Sequence, residues 1–215
     1  MDIKNNTYWN NYYNSKDNNN KPSNFAKFIK KKYLKKKTTL LDVGAGDGRD
    51  SFYFLKHAKY IFAIDQSDVV INKNKLKTKR LNLKNILFKR LSSNKLKTLH
   101  NKKIDIIYAR FFLHAINEAN ENMFLNIIKK DFKDNIKIAL EFRTTKDVLR
   151  KKGKKISINE RLTDHYRRFI DINNFKKKLE KMKFKILYIK SGINLSKGPN
   201  DNPHLCRVVF SGRTK

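Results

Sequence analysis

A glycine-rich turn that directly follows a buried strand is the feature that most restricts how this chain can fold. Residues 40–50 read LLDVGAGDGRD, so an apolar run leads into three glycines at alternate positions, Gly44, Gly46 and Gly48. Glycine permits positive φ and a close approach of the backbone to a ligand, and a helix that begins after such a turn points its positive amino end at that ligand. The sequence therefore predicts a strand-turn-helix unit with a ligand at the carboxyl end of the strand.

An aspartate ends the next predicted strand. Asp65 lies 19 residues after Gly46 and closes the apolar run 60–65. A carboxylate at this place can accept hydrogen bonds from both hydroxyls of a ribose. Capping of the following helix is the alternative role, but Ser67 or Asp68 can fill it instead. An ordinary βα connection is the alternative for the turn, and it is disfavoured by the strand before it and the acid after it.

Apolar runs alternate with amphipathic segments along the whole chain. Strands are predicted at residues 39–43, 60–65, 85–89, 104–108, 136–142, 184–189 and 204–210. Helices are predicted at residues 24–35, 49–58, 68–81, 117–130 and 172–182, the first of them as an N-terminal cap. This alternation is typical of an α/β fold in which helices cover both faces of a mostly parallel sheet. Because residues 191–203 contain Gly and Pro, the last two strands are expected to form a hairpin with an antiparallel final strand.

Length and composition favour a single domain over residues 1–215. A chain of this size buries one substantial core without splitting, and 39% hydrophobic residues suffice for that core. Two segments lie outside the alternation, a cap segment at 1–37 and an insertion at 144–168 on the substrate side of the sheet. Cys206 lies in an apolar strand and is expected to pack as a buried hydrophobe. The spacing of His, Cys and acidic residues predicts no metal site.

The amino terminus is polar and rich in asparagine, without the apolar core of a signal peptide, and no stretch approaches the ~18 apolar residues of a membrane span. A cytoplasmic location with no membrane span is therefore predicted. The oligomeric state is not indicated by the sequence.

The net charge of +32 raises the question of a nucleic-acid partner. Of the 51 basic residues 11 are Arg, which leaves 40 Lys, and the lysines are spread over every segment. Recognition of phosphate or bases favours the bidentate arginine fork, so the pattern indicates a diffuse surface charge. The sequence therefore disfavours a nucleic-acid partner, and any binding to oligonucleotides is expected to be weak and lost at moderate salt.

Residues 42–48, read as D-x-G-x-G-x-G, resemble motif I of class I S-adenosylmethionine-dependent methyltransferases and lack the G-x-G-x-x-G spacing of dinucleotide enzymes. The resemblance implies a doubly wound, seven-stranded Rossmann-like sheet and S-adenosyl-L-methionine as cofactor. It places Asp42, Gly44, Ala45, Gly46 and Gly48 around the methionine part of the cofactor. It further implies the following contacts: Asp65 and Gln66 to the ribose, Ser92 to the adenine, and Arg110 beside the sulfonium.

Other residues resemble the methyltransferases of bacterial surface-polysaccharide and tellurite-resistance type. They are the aromatic pairs from Tyr8 to Tyr13, the Gly-Arg-Asp at 48–50 and the His-Tyr-Arg-Arg-Phe at 165–169. This narrower resemblance implies a small-molecule or saccharide acceptor, anionic or hydroxylated. The acceptor-side candidates are Tyr8, Arg143, Tyr166 and Arg167 for binding, with His114, His165 and Arg168 for catalysis.

Each acceptor-side candidate has an alternative role in the structure. The arginines can form surface ion pairs with Glu160 or Glu141, and His114 can pack against the neighbouring phenylalanines. Tyr8, Trp9 and Tyr13 can close over the cofactor or only dock the cap helix.

Two other functions stay open. One is methylation of RNA or DNA, although the fourth strand lacks the Asn/Asp-Pro-Pro-aromatic signature of amino-group base methylation. The other is binding of S-adenosylmethionine without catalysis.

Overall fold

All seven apolar runs predicted as strands form strands in the computed structural model, which describes residues 2–15, 21–198 and 201–213. The chain divides into two compact units, Met1–Tyr108 and Ala109–Lys215. Part of the predicted cap segment, residues 1 and 16–20, lies outside the described residues. The single domain expected from chain length stays a prediction.

The first unit contains the glycine-rich turn. Its elements are α1 (Asp2–Ser15), α2 (Asn24–Lys32), β1 (Thr39–Val43), α3 (Arg49–Leu55), β2 (Tyr60–Asp65), α4 (Asp68–Arg80), β3 (Ile86–Arg90), the 3₁₀ segment Ser93–Lys102 and most of β4 (Ile106–Arg110). Strand β1 pairs in parallel with β2 and with β4, and β2 pairs in parallel with β3. A strand with parallel neighbours on both sides is buried on both faces, which explains why Leu40, Leu41 and Val43 of β1 are all buried.

Serine side chains fix where the helices of this unit begin. Ser23 Oγ accepts the N–H of Ala26 at the start of α2, and Ser67 Oγ accepts the N–H of Val70 at the start of α4. An N-cap side chain satisfies one of the unpaired N–H groups of the first turn. Ser67 therefore caps α4 and is one of the two capping residues that the sequence allowed.

The second unit is mostly antiparallel. Its elements are the 3₁₀ turn Leu113–Ala115, α5 (Glu118–Asp131), β5 (Lys137–Arg143), the 3₁₀ turn Val148–Lys151, β6 (Lys154–Ser157), β7 (Glu160–Leu162), β8 (Tyr166–Arg168), α6 (Ile172–Lys181), β9 (Phe184–Gly192) and β10 (Leu205–Arg213). Strand β10 pairs antiparallel with β5 and with β9, so the predicted hairpin is confirmed. The sheet order is β3-β2-β1-β4-β5-β10-β9, which is the predicted seven-stranded Rossmann-like fold.

Residues 144–168, predicted as an insertion, contain strands that the sequence did not predict. They form a second, three-stranded antiparallel sheet in the order β6-β7-β8. These strands have three or four residues, and β6 is exposed along most of its length. The sequence signal is weak because a short exposed strand rich in lysine lacks the alternation that marks a half-buried strand.

Two findings concern the whole described chain. Cys206 is buried on β10, so the prediction that it packs as a buried hydrophobe is confirmed, and burial raises the pKa of its thiol to about 12. In residues 2–15, 21–198 and 201–213, no helix has the length and apolarity needed to cross a membrane.

Candidate active site

The glycine turn adopts backbone conformations that L side chains rarely take. Gly44, Gly46 and Gly48 have φ of 72°, 53° and 73°. A Cβ on Gly48 would lie 3.0 Å from atoms of three neighbouring side chains, one of which is the amide oxygen of Asn74. The same Asn74 donates from Nδ2 to the carbonyl of Gly46 at 2.8 Å. Helix α4 therefore holds the turn in a shape that keeps its backbone open to close contact.

Asp65 lies at the carboxyl end of β2, buried beside this turn. Its Oδ2 accepts the N–H of Gly46 at 3.0 Å, and its Oδ1 accepts the N–H of Ser67 at 2.9 Å. Burial raises the pKa of Asp65, and these backbone hydrogen bonds lower it in part. A carboxylate has about four lone-pair sites, so Asp65 keeps acceptor capacity for a ribose hydroxyl beside its backbone hydrogen bonds.

Asp42, at the end of β1, is the most strongly perturbed carboxyl of the turn. It is buried and its Oδ2 accepts the hydroxyl of Ser51 at 2.6 Å. Burial raises the pKa of Asp42 to about 8, and the nearby charges of Asp50, Asp65 and Asp47 add to this increase. Four carboxyl groups thus gather around one turn of a chain with net charge +32. Such a cluster suits a ligand that carries positive charge, as ammonium and sulfonium groups do.

Helix α1 lies against this turn. The Tyr13 hydroxyl occupies the space that a Cβ on Gly46 would need, and burial together with the charges of Asp65 and Asp47 raises the pKa of Tyr13. Asn10 accepts the hydroxyl of Ser67 at 2.6 Å, and the carbonyl of Tyr13 accepts a hydrogen bond from Lys73. Of the two roles considered for the aromatic residues, the position of Tyr13 is the one expected for closure over the turn.

Three further candidates of the first unit are Tyr8, Gln66 and Ser92. Tyr8 stacks on Tyr12 with ring centroids 6.2 Å apart and therefore lies within the aromatic cluster of α1 itself. Gln66 accepts at its carbonyl from Arg90 at 3.2 Å. Ser92 is exposed and precedes the 3₁₀ segment without a side-chain capping bond.

A second cluster forms in the second unit, where β4 ends. Phe111 has a φ of 56°, which is an outlier for a bulky residue, and its N–H donates to the carbonyl of Glu141 at 2.8 Å. The guanidinium of Arg110 lies 4.0 Å from the centre of its ring and the ring of His114 lies 5.1 Å away. Strained backbone of this kind concentrates at functional sites. The sequence held no signal for it, because the conformation is imposed by contacts with β5.

His114 is buried and uncharged. Its Nδ1 accepts the N–H of Arg143 at 3.4 Å, which leaves the ring proton on Nε2. Burial lowers its pKa well below the ordinary value, and the positive charges of Arg143 and Arg167 and the nearby His165 lower it further. His114 can therefore donate a hydrogen bond from Nε2 across the neutral pH range.

His165 has the opposite arrangement. Its Nδ1 lies 3.1 Å from Oδ2 of Asp164, so Nδ1 donates and the basic lone pair is on Nε2. Burial lowers the pKa of His165 to about 4, with Arg167 adding to the decrease and Asp164 opposing it. The charges of Arg143 and Arg167 lower the pKa of both histidines, so these four predicted residues lie within electrostatic range of one another.

The arginines have partners other than those considered from the sequence. Arg143 pairs with Asp147 at 2.9 Å and also with Asp201, and Arg167 pairs with Asp164. These partners lie in turns, whereas the sequence alternatives were Glu160 and Glu141. Arg143 and Arg167 are thus held in fixed positions.

Arg168 and Tyr166 contact the frame of the second unit. Arg168 is buried, pairs with Glu121 and donates from Nε to the carbonyl of Ile116 at 3.1 Å. The Tyr166 hydroxyl donates to Glu160, and burial together with this bond raises its pKa. These contacts suit roles in positioning more than direct contact with a reacting group.

Glu141 is a member of this cluster that the sequence did not single out as a site residue. Its Oε1 accepts from Arg110 at 3.0 Å and from Ser196 at 2.9 Å, and its Oε2 accepts from Arg207 at 2.6 Å. A fully buried carboxylate is stable only when it is paired in this way. Arg110, predicted beside the sulfonium, is therefore oriented by Glu141.

Comparison with known proteins bears on this geometry. Residues 41–133, which include the glycine turn and Asp65, match the model of the family described as methyltransferase domain. These residues are similar to a methyltransferase domain, and the chain is a methyltransferase. Its cofactor is S-adenosylmethionine. The acidic turn and the buried Asp65 fit that positively charged nucleoside, as described above.

Solved structures of methyltransferases share the fold of this enzyme. An S-adenosylmethionine-dependent methyltransferase from Methanosarcina mazei is 16% identical with a TM-score of 0.74, covering 87% of this chain and 98% of its own. One from Clostridium acetobutylicum is 13% identical with a TM-score of 0.71, covering 89% and 92%. One from Aquifex aeolicus is 21% identical with a TM-score of 0.62, covering 87% and 89%. No curated protein sequence matches the chain.

Proposed function

We propose that this methyltransferase acts on a small acceptor that is anionic or hydroxylated, such as a saccharide, in the manner of enzymes of the surface-polysaccharide and tellurite-resistance type. The observation that carries the proposal is the gathering of His114, His165, Arg143 and Arg167 in the second unit. Positive charge favours an anionic acceptor, and the two histidines offer a hydrogen-bond donor and a proton acceptor for a hydroxyl.

The cofactor is assigned to the first unit. Asp65 holds the ribose, the backbone of Gly44, Ala45, Gly46 and Gly48 leaves room for the methionine part, and Asp42 supports its ammonium group. Gln66, Ser92 and Arg110 keep the contacts that the family resemblance implies for them. When bound, S-adenosylmethionine supplies an activated methyl group.

The acceptor residues have separate tasks in this proposal. Arg143 and Arg167 neutralise and orient the anionic group of the acceptor, since the guanidinium fork binds carboxylate or phosphate in a fixed geometry. His114 donates from Nε2 to the acceptor and holds its orientation. His165 takes the proton of the acceptor hydroxyl at Nε2, and Asp164 stabilises the resulting imidazolium. Arg168 is a positioning residue, and Tyr8 and Tyr166 stay predicted contacts of the acceptor.

The cofactor half of the proposal is tested by calorimetry of S-adenosylmethionine binding. Asp65→Asn is expected to weaken binding by about 1–3 kcal/mol, because hydrogen bonds to a charged acceptor become bonds to a neutral one. Asp134→Asn is the control, since Asp134 is exposed in the turn before β5. Equal affinity of the two variants would remove Asp65 from the cofactor site.

The acceptor half is tested by measuring S-adenosylhomocysteine release with a panel of sugar phosphates, uronic acids and short RNAs. Turnover is expected with at least one anionic sugar and not with RNA. Arg167→Gln is expected to raise KM for that sugar, and His165→Gln to lower kcat by ~10² to 10⁴, with cofactor affinity retained. His100→Gln, at an exposed histidine, is the control. Turnover on RNA alone would contradict the proposed acceptor.

A further inference from the structure

The second, smaller sheet and the turn before it expose an unusual number of aliphatic side chains. Val148, Ile156, Ile158 and Leu162 are all exposed, and Ile158 has 69% of its surface open to solvent. These four lie within 15 residues of sequence. We refer to residues 148–162 as the basic-aliphatic segment. Scattered apolar side chains on a surface need no explanation, but a local concentration indicates an interaction surface.

Basic residues are interspersed with these aliphatic residues along the sequence. Residues 148–162 contain six basic residues and one acid, Glu160, whose carboxylate already accepts the hydroxyl of Tyr166. Arg150 and Arg161 donate to Asn159 and to backbone carbonyls, respectively. Within the part of the chain that the structure describes, none of the six cations forms an ion pair with a carboxylate. They are Arg150, Lys151, Lys152, Lys154, Lys155 and Arg161.

The pairing of the strands places like charges opposite one another. Lys155 on β6 is opposite Arg161 on β7, and Arg161 is opposite Arg167 on β8. Directly opposed like charges destabilise a sheet. Arg167 is compensated by its ion pair with Asp164, whereas Lys155 and Arg161 have no such pair among the described residues, so an anionic surface would stabilise these two opposed cations.

The kinds of residue distinguish between possible anionic partners. Proteins that bind single-stranded nucleic acid offer aromatic rings for bases to stack on, and sequence readout favours arginine. The basic-aliphatic segment offers isoleucine, leucine and valine, and four of its six cations are lysine. Aliphatic side chains beside a cluster of lysines suit the boundary between acyl chains and anionic headgroups.

We infer that residues 148–162 dock the enzyme on the surface of an anionic lipid bilayer, with Val148, Ile156, Ile158 and Leu162 entering the headgroup region and the basic residues contacting the headgroups. The enzyme lies on the bilayer in this arrangement and does not cross it. The inference concerns binding to vesicles and stands independently of which acceptor is methylated.

Co-sedimentation of the full chain with vesicles tests this docking. Vesicles of phosphatidylcholine alone are compared with vesicles that also contain phosphatidylserine. Binding to the anionic vesicles is expected at physiological salt, with little binding to the neutral ones. Replacing Lys151, Lys152, Lys154 and Lys155 by Gln is expected to weaken binding more than 100-fold, since each basic residue near such a surface contributes about fivefold.

A second variant with four Lys→Gln replacements, outside the basic-aliphatic segment, is the control for net charge. Lys95, Lys97, Lys102 and Lys103 are exposed lysines of the first unit, and their replacement by Gln removes the same four charges. This variant is expected to keep most of the vesicle binding. An equal loss in both quadruple variants would show that binding follows net charge, and the docking surface would then be wrong.

The control for apolar contact uses a matched leucine. Ile156→Ser with Ile158→Ser is expected to weaken binding about 100-fold, from about tenfold for each buried aliphatic side chain. Leu76→Ser changes a side chain on α4 that is equally exposed, at 69%, and is expected to have no effect. Unchanged binding of the isoleucine variant, or binding to an oligonucleotide in place of the vesicles, would overturn the inference. Retained calorimetric binding of S-adenosylmethionine and an unchanged Tm show that each variant is folded.

Discussion

Replacement of Asp42 by asparagine is expected to change how the stability of the cofactor-free enzyme depends on pH. The folded protein raises the pKa of this carboxyl from 3.8 to about 8, chiefly by burial. Between these two values the folded state holds one proton more than the unfolded state. Stability that is present at low pH is therefore lost as the pH rises towards 8. Asparagine has no proton to lose, and its amide oxygen can still accept the hydroxyl of Ser51.

The size of the effect follows from proton linkage. One extra proton on the folded state gives a slope of about −1.4 kcal/mol in the free energy of unfolding for each pH unit. From about pH 5 to about pH 7, this single group contributes a loss of roughly 2–3 kcal/mol in the wild type. The difference between wild type and Asp42→Asn should change by that amount over the interval.

Urea unfolding at the two pH values measures this change, because its midpoint and slope give the free energy of unfolding. Asp134→Asn, at an exposed aspartate, provides the background dependence. Parallel stability profiles for the wild type and Asp42→Asn, within about 0.5 kcal/mol, would refute the reasoning, since the buried carboxyl would then lose its proton as readily as in the unfolded chain.

Three further predictions rest on other contacts. Tyr108→Phe removes a 2.7 Å hydrogen bond to the buried carboxylate of Asp50 and should lower the free energy of unfolding by about 1.5–3 kcal/mol; an unchanged urea midpoint would contradict this. Gly48→Ala places a Cβ at a φ of 73° against two phenylalanine rings and should cost about 1–3 kcal/mol in the same assay, whereas Gly198→Ala, whose Cβ would make only an ordinary contact of 3.6 Å with the carbonyl of Asp201, should be nearly neutral. Because the pKa of His165 is about 4, kcat/KM for methyl transfer should keep its full value down to about pH 5 and decline at lower pH. A decline centred near pH 6.5 would show that the base is another group.

The long elements of the fold could be predicted because their signals are local. Strands β1 and β2 have the predicted bounds, since each is a buried apolar run that ends at a turn or a polar residue. The small sheet could not be predicted in this way, because its short strands are stabilised by pairing with one another and carry exposed lysines. Its existence depends on tertiary context and not on periodicity.

The candidate site also has a part that the sequence could predict and a part that it could not. The glycine turn and Asp65 are close in sequence and have a recognisable spacing. The strained φ of Phe111 and the role of Glu141 depend on partners such as Arg207, which is 66 residues from Glu141 along the chain. Residue types and spacing do not reveal such pairs, so the acceptor side was predicted as a set of residues without its internal bonds.

Helix α1 has a consequence for the rate at which the cofactor exchanges. The Tyr13 hydroxyl occupies the space next to Gly46, and Asn10 and Lys73 hold the helix against α4 by hydrogen bonds. A ligand that contacts the backbone of Gly46 must first displace Tyr13, so loading and release both pass through a step in which these bonds open. Association then proceeds more slowly than diffusion allows, and departure of the demethylated product can limit turnover even when the transfer itself is fast.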